Sequence, residues 1–457
     1  MKETLLELLE REQWPGNATI LAEISDMDEV DIASAFDDLD NQKDIRLFRL
    51  LPKNIAADVF SYIVKDKQQE LLETLSDREQ GALINDLFAD DAADLIEEMP
   101  AKVVTKLLKN ANAETRQNIN NLLKYPDGSA GSIMTVEYVR LKENQQVSEV
   151  FDIIRQHGVD KETIYTCYVV DAKRTLIGVV SVKDLLLAKP DAKIKDIMKE
   201  HPTSAHTTDS QEAVADIFRK YGHISIPVVD SEEKLVGIVT VDDVLQIIAE
   251  QHTEDIHRMA GVKTSENPYI KTSVLRHSRN RIVWLFILMV SAMVTGGIIS
   301  AFETQLAAVP MLIAFIPMLM GTGGNAGSQT STQIVRGMAL GEIPKGYVLK
   351  IWWKEIRVAL IIGVGLGIFN FLRIILLEGL ILSGSVTGEI AKIAMVVTFS
   401  LCCTIVMAKS LGCLLPMLAK KLKFDPAIMA APLIASILDT LSLLVYFGFA
   451  AMILHIA

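Results

Sequence analysis

Residues 282-IVWLFILMVSAMVTGGIISAF-302 run without a charge, and as a helix rising 1.5 Å per residue they reach about 30 Å, the depth of a bilayer's hydrocarbon core. Working outward, further apolar stretches stand near 306–337, 358–382, 390–418 and 427–457, so the sequence predicts five membrane spans. The loops agree on their orientation. Lys271, Arg276, Arg279 and Arg281 precede the first span, Arg336, Lys345, Lys350, Lys354 and Arg357 separate the second and third, and Lys420, Lys421 and Lys423 precede the fifth. The alternate loops carry Glu303, Glu378, Glu389 and Lys392. The positive-inside rule then puts the long leading part in the cytosol and the C-terminus outside.

The charge divides at the same place. Of 57 acids and 45 bases, only 7 acids but 14 bases lie from Thr272 onward, so the leading part carries about −19 and the rest about +7. This is the balance of an acidic cytosolic module joined to a membrane module, and it excludes a nucleic-acid partner. Cys167, Cys402, Cys403 and Cys413 have neither metal-ligand nor disulfide spacing, and residues 1–10 lack the apolar core of a cleaved leader. No nucleophile and base pair, phosphate loop or zinc spacing marks an enzyme.

Two repeats organise the cytosolic part. Met27, Leu51, Leu75 and Met99 recur every 24 residues, each followed by a helix starter, Asp28, Pro52, Ser76 or Pro100, which predicts a superhelical array of short helices over 1–130. From about Gly131, Met134 recurs as Met198, Val170-Asp171 as Val229-Asp230, and Gly178-Val-Val-Ser-Val-Lys-Asp184 as Gly237-Ile-Val-Thr-Val-Asp-Asp243. Each copy reads helix, strand, turn, strand, helix. The pair resembles tandem cystathionine-beta-synthase (CBS) domains, at 131–192 and 193–250. In that family a Ser/Thr-x-x-Asp can hold an adenosine ribose, which implies Ser181 with Asp184, and Thr240 with Asp243, as candidate ATP contacts. A helix capping box is the competing reading of the same spacing.

Two spans are unsuited to plain anchoring. The second passes from an apolar run with Pro310 and Pro317 into Gly321-Thr-Gly-Gly-Asn-Ala-Gly-Ser-Gln-Thr-Ser-Thr-Gln333. Polar or irregular backbone at that depth needs protein or a wet cavity beside it, and Asn325, Ser328, Gln329 and Thr332 fall on one helical stripe. A helix-packing face of small residues is the alternative. The fifth span holds Asp439, which counting from Ala427 places about 18 Å along the helix. A charge there costs at least about 2.5 kcal/mol, and the side chain is too short to reach the interface as Arg373 and Lys409 could. Pro432 frees the carbonyl of Ile428 from its helical donor. Gly324, Asn325, Ser328, Gln329 and Pro432 are therefore the pore-lining candidates around Asp439, and neutralisation of Asp439 by protonation or by Arg373 is the competing reading.

The whole chain resembles the MgtE family of magnesium transporters. The resemblance rests on Gly321-Thr-Gly-Gly-Asn325 with Gln329, Phe302-Glu303, Phe424-Asp-Pro426, Pro432 with Asp439, and Val241-Asp-Asp243 followed by Thr253-Glu-Asp-Ile256. It implies a multidomain membrane protein: an all-α superhelical N-terminal domain, α/β tandem CBS domains, a connecting helix over 251–278 and a five-helix transmembrane domain over 279–457. It also implies a homodimer in which Asp439 binds hydrated magnesium in the pore. Regulatory magnesium would fall to Asp243, Glu254, Asp255 and Glu212, facing Asp90, Asp91 and Asp94 of the N-terminal domain. Gly222, Gln246 and Gln251 stand where family members can have acids. Magnesium gives up its water reluctantly, so a wide site with one carboxylate per chain suits it. A proton- or sodium-coupled carrier and a membrane-anchored nucleotide sensor are the alternatives.

Overall fold

A computed structural model of the chain describes residues 5, 9, 16–264, 269–270, 272–344, 346–382, 385–426 and 431–455. It divides into two units, 1–249 and 250–457. Of the amphipathic stretch 1–10, only Leu5 and Leu9 lie within the described residues.

The first unit opens with nine helices among the described residues: α1 (Asn17–Ile24), α2 (Glu29–Ala35), α3 (Asn41–Leu50), α4 (Lys53–Tyr62), α5 (Lys65–Thr74), α6 (Asp77–Asp86), α7 (Ala89–Glu98), α8 (Ala101–Asn110) and α9 (Ala113–Leu122). From α2 onward the residue before each helix stands at 28, 40, 52, 64, 76, 88, 100 and 112, so the true period is 12, half the interval that the sequence suggested. Val64 and Phe88 hid the shorter repeat, because neither is a residue that begins helices by propensity. What recurs without exception is the apolar residue just before the cap. Met27, Leu39, Leu51, Ile63, Leu75, Leu87, Met99 and Ala111 are all buried. The rings of Phe36, Phe48 and Phe60 keep the same interval and stack edge to face at 6.5 and 5.9 Å, so each helix packs on its neighbours through a repeated contact.

The second half of this unit is a pair of β-α-β-β-α copies. The first contains β1 (Tyr138–Lys142), α10 (Val147–His157), β2 (Thr163–Val170), β3 (Leu176–Ser181) and α11 (Val182–Leu187); α12 (Ile194–Ile197) and β4 (Lys199–Glu200) lead on to the second. That copy contains β5 (Ala205–His206), α13 (Gln211–Tyr221), β6 (Ser225–Val229), β7 (Leu235–Thr240) and α14 (Val241–Met259). Both sheets start with a parallel pair and continue antiparallel, in the orders β1-β2-β3-β4 and β5-β6-β7. The leading strands were missed from the sequence because β5 has two residues and β1 alternates with Arg140 and Lys142. The recurring methionines and glycines interlock the copies. A Cβ at Gly237 would stand 2.6 Å from the Met134 sulfur, and one at Gly178 would stand 2.8 Å from the Met198 sulfur, so each methionine that leads into one copy seats on a glycine of the other. A hydrogen bond of 2.7 Å between the buried hydroxyls of Tyr168 and Ser225 ties them at the centre.

α14 runs through 250/251 without a break and ends at Met259, where Gly261 turns the chain with φ +67°. Within the connecting helix expected over 251–278, the described residues are helical to Met259, as the second half of α14, and again from Val274; residues 265–268 and 271 lie outside the described residues.

The second unit holds α15 (Val274–Ala301), α16 (Glu303–Ala308), α17 (Ile316–Ala339), α18 (Val348–Ile374), α19 (Gly388–Lys421) and α20 (Ala431–Leu454). Four helices, at Val274–Ala301, Val348–Ile381, Gly388–Lys421 and Pro432–Leu454, are long and apolar enough to cross a membrane. The second expected span starts differently from the expectation. Pro310 has no N–H to extend α16, so the chain breaks at Val309, turns through a short 3-10 segment and restarts as α17 with Pro317 in its first turn. From there the glycine-rich stretch is regular α-helix. Its small face is buried: a Cβ at Gly323 would meet the Thr404 methyl at 2.8 Å, one at Gly327 would strike Leu438, and one at Gly412 on α19 would strike the backbone oxygen of Gly327. The packing reading of this stretch holds for that face.

At the Gly327–Gly412 crossing an added Cβ would meet backbone, with no flexible side chain to yield. Gly412→Val should destabilise the membrane unit by about 2 kcal/mol or more, read as a lower midpoint of thermal unfolding in detergent. Gly448→Ala, which meets nothing within 4 Å, should leave that midpoint in place.

Candidate functional site

The face of α17 opposite its glycines is polar and uncovered. Asn325, Gln329 and Thr332 are exposed and Ser328 is half-buried, which is the predicted stripe. A cavity of about 620 Å³ runs between α17 and α20, lined by Ile316, Pro317, Met320, Gly321, Gly324, Asn325 and Ser328 on one side and Pro432, Ala435 and Asp439 on the other. The fold thus brings Gly324, Asn325, Ser328, Pro432 and Asp439 together. Gln329 shares their stripe but lies beyond the lining. Met320, Gly321 and Ala435 were legible only as apolar or small residues, and nothing in their type marked them as groove wall.

Asp439 is half-buried, eight residues from the first described residue of α20, hence about 12 Å along the helix. Ile428, whose carbonyl the sequence reading singled out, lies outside the described residues. Arg373 does not serve Asp439: its Nε donates to Asn370 Oδ1 at 3.2 Å, and its guanidinium lies 5.5 Å from the centre of the Phe315 ring. Among the described residues no ion pair or hydrogen bond reaches the Asp439 carboxylate.

Lys409 also departs from expectation. It is 6 % exposed and does not reach the interface; its Nζ donates to Thr330 Oγ1 at 3.1 Å and stands 3.8 Å from Glu355 Oε2. Thr330 Oγ1 in turn donates to Glu355 at 3.2 Å. This buried chain of three joins α17, α18 and α19 behind the groove. Glu355 escaped notice because it sits among the bases that flank the third span, where an acid looks like ordinary surface charge.

In the first unit, Asp90 and Asp91 open α7 and Asp242 and Asp243 open α14, and their electrostatic influence on one another places these turns close together, with Glu162 from the start of β2. Burial and mutual repulsion drive the carboxyls upward: Asp91 to about 7, Glu162 to about 8, Asp243 to about 6, and Asp90 well above the carboxylate range. Asp90 Oδ1 is buried with no hydrogen-bond partner. Asp94 is exposed and adds its charge to Asp91. Glu162 and Asp242 were not foreseen, because each is separated in sequence from the helix it faces. Glu212, exposed in the first turn of α13, is not among the charges that most perturb this cluster. Among the described residues no three such groups converge as a ready cage for a bare ion.

The two Ser/Thr-x-x-Asp motifs have different surroundings. Ser181 and Asp184 form a full capping box, with Ser181 Oγ donating to Asp184 at 2.6 Å and accepting from its N–H at 3.1 Å. Thr240 Oγ1 donates to Asp243 at 2.6 Å, but that carboxylate faces Asp90 and Asp91, which would repel a nucleotide's phosphates. In the second unit Glu254 pairs with Arg258, which also binds Asp425 in the loop before α20. Burial and Asp425 raise the carboxyl of Asp255.

Comparison with known proteins agrees along the chain. Residues 316–449 match the model of a divalent cation transporter family, MgtE; residues 27–128 match the MgtE intracellular N domain; residues 130–191 and 194–250 match CBS domains. The chain is 34 % identical over 461 residues, all of both proteins, to the magnesium transporter MgtE of Thermus thermophilus. It is 30 % identical to that of Bacillus subtilis, over 94 % of this chain and 93 % of the relative. A crystal structure of the cytosolic domain of an MgtE Mg2+ channel in complex with ATP is similar at 34 % identity, covering 54 % of this chain and all of that one, with a TM-score of 0.50. The soluble part of a magnesium transporter is similar at 30 % identity, covering 55 % and 97 %, with a TM-score of 0.51.

The two charged clusters give separable expectations. Glu355→Leu strands Lys409 and should cost about 3–5 kcal/mol, whereas Glu355→Leu with Lys409→Met should recover most of it; thermal unfolding of the four proteins of that cycle decides. For the acidic cluster, the folded chain holds protons that an unfolded chain with carboxyls near pH 4 has released. Without metal, its contribution to stability is therefore fully present only below about pH 4 and is lost progressively as pH rises from there to about 8, through the raised values of the folded carboxyls. Magnesium should offset that loss, so thermal melts in chelator should fall across this window and melts in millimolar magnesium should not.

Proposed function

The chain belongs to the MgtE family of divalent cation transporters, and from that premise we propose that it conducts magnesium across the membrane through the groove between α17 and α20, with Asp439 as the ion-binding group. The observation that carries this reading is the unpartnered Asp439 in a groove shared with Asn325 and Ser328. A carboxylate and carboxamide at membrane depth are unfavourable against lipid and favourable against a hydrated cation. The uncovered polar stripe of α17 favours a second copy of the chain across it. Two copies would set two Asp439 side chains about one axis and enclose the polar stripe. One carboxylate per chain suits an ion that keeps its water. The loop charges favour a cytosolic first unit and an external C-terminus.

Cytosolic magnesium is the regulator in this reading. Asp90, Asp91, Asp243 and Glu162, with Asp94 at the margin, repel one another when ionised, and a hydrated magnesium ion among them would hold the N-terminal helices against the CBS pair. Glu212, Glu254 and Asp255 would add weaker sites. One site that favours the closed state contributes about 1.4 kcal/mol at tenfold saturation, against the roughly 5.5 kcal/mol needed to move a gate from 1:99 to 99:1, so several sites must act together. ATP at Ser181 and Asp184 is a further regulatory contact, favoured by the similar cytosolic domain that binds it.

Asp439→Asn keeps the side chain's shape and should reduce magnesium flux into proteoliposomes by at least about tenfold, since it removes the one charge in the groove. Asp91→Asn with Asp243→Asn should leave flux high at cytosolic magnesium levels that silence the unmodified protein. Near-normal flux in the first variant defeats the pore assignment, and unchanged inhibition in the second defeats the regulatory one.

A further inference from the structure

The outward face of α18 carries one unbroken stripe. Lys350, Lys354 and Arg357 stand at intervals of four and three residues, and Ile361, Val364 and Ile368 continue the same intervals, so all six lie on one side of the helix. All six are exposed, the three apolar ones by 75, 56 and 58 %. The opposite face, with Glu355, Ala359 and Gly363, is buried against the rest of the membrane unit. Trp353, 56 % exposed, flanks the stripe at the level of the bases.

No acid balances these bases. Glu355 is the one acid between Val348 and Ile374, and it turns inward to Lys409. Among the described residues Lys350, Lys354 and Arg357 enter no ion pair, and Lys350 Nζ stands 5.0 Å from the centre of the Tyr347 ring. Side chains on a helix tilt toward its N-terminus and long basic stems reach for water, so three heads whose Cα atoms are spread over about 10 Å gather in the headgroup layer. Ile361 stands about 6 Å and Ile368 about 16 Å beyond Arg357 along the axis, which is the depth of one leaflet's hydrocarbon. An excess of bases on one side of the membrane does not by itself give such a stripe. Arg276 and Arg281, at the start of α15, are five residues apart and point to different sides of their helix.

We propose that this stripe seats an anionic phospholipid of the leaflet that meets the start of α18, with its phosphate on Lys350, Lys354 and Arg357 and one acyl chain along Ile361, Val364 and Ile368. On the orientation favoured by the loop charges, that is the cytosolic leaflet. Guanidinium and ammonium groups bind phosphate oxygens, and the apolar run gives the chain a wall of matching length. A soluble phosphate has no use for the second half of this fit. The seat lies on the same helical turn as Glu355, so the lipid braces the part of α18 that reaches α17 through Lys409 and Thr330.

Trp353 reports on the seat. The purified full-length protein is placed in phosphatidylcholine bilayers that hold a small fraction of dibrominated phosphatidylglycerol or, for comparison, the same fraction of dibrominated phosphatidylcholine. The quenching that a Trp353→Phe variant fails to show is that of Trp353. Each base beside an anionic headgroup is worth roughly a fivefold gain in affinity, so phosphatidylglycerol should be preferred by about tenfold or more, and Lys354→Gln with Arg357→Gln should lower that preference by at least about fivefold. Lys354→Arg with Arg357→Lys keeps both charges and should keep the preference within about twofold. Arg276→Gln with Arg281→Gln removes two bases on the same side of the membrane and should also leave it within about twofold. Brominated lipid is present in both leaflets, so an inverted orientation changes which leaflet supplies the lipid and leaves these outcomes in place. Equal quenching by the two lipids, a preference that survives in the glutamine variant, one lost in the charge-keeping swap, or one that falls equally in the Arg276 and Arg281 variant overturns the proposal. Quenching by neither lipid means that a second copy of the chain covers the face, which overturns it as well.

Discussion

The crossing of α17 over α19 at Gly327 and Gly412 is the contact on which the membrane unit depends. Neither helix has a side chain there, so the backbone of one lies against the Cα of the other. In lipid there is no hydrophobic gain from bringing helices together, and close van der Waals approach takes its place. That approach fixes the rotation of α17. With Gly323 and Gly327 turned inward, Asn325, Gln329 and Thr332 must turn outward, and the groove with Asp439 forms between that rim and α20. The buried Lys409, Thr330 and Glu355 chain holds the same helix from behind. Packing and polarity in this helix are two faces of one 3.6-residue period.

The cytosolic unit is organised by a different force. Its helical array and CBS pair each close by ordinary apolar burial, but where they meet near Asp243 the surfaces are both acidic. Carboxyls held near or above neutral pH are a stored repulsion that protons or divalent cations can relieve.

Much of the architecture was legible in one dimension. Four of the five expected spans, all but the second, stand as helices long and apolar enough to cross a membrane, because apolar length is read directly from the sequence. The CBS repeat came from Gly178 and Gly237 with Met134 and Met198, residues whose recurrence has a physical cause in the seating of each methionine on the other copy's glycine. The 12-residue helical repeat was half seen. Its invariant is a buried apolar residue before each cap, and that signal is weak where Val64 and Phe88 occupy the cap itself.

The sequence by itself determined that a charge would lie in the fifth span, that a polar stripe would face one side of the second, and that the N-terminal and CBS regions would be acidic, because helix period, span length and composition are local properties. It could not determine the partners of those groups. That Arg373 turns to Asn370 and Phe315 while Lys409 is buried with Glu355, and that Glu162 joins Asp91, both depend on residues far apart in the chain. Only tertiary packing sets such distances, since the Coulomb energy of a charge is fixed by its neighbours in space and by their burial, and neither is written in the spacing of residues along a strand or helix.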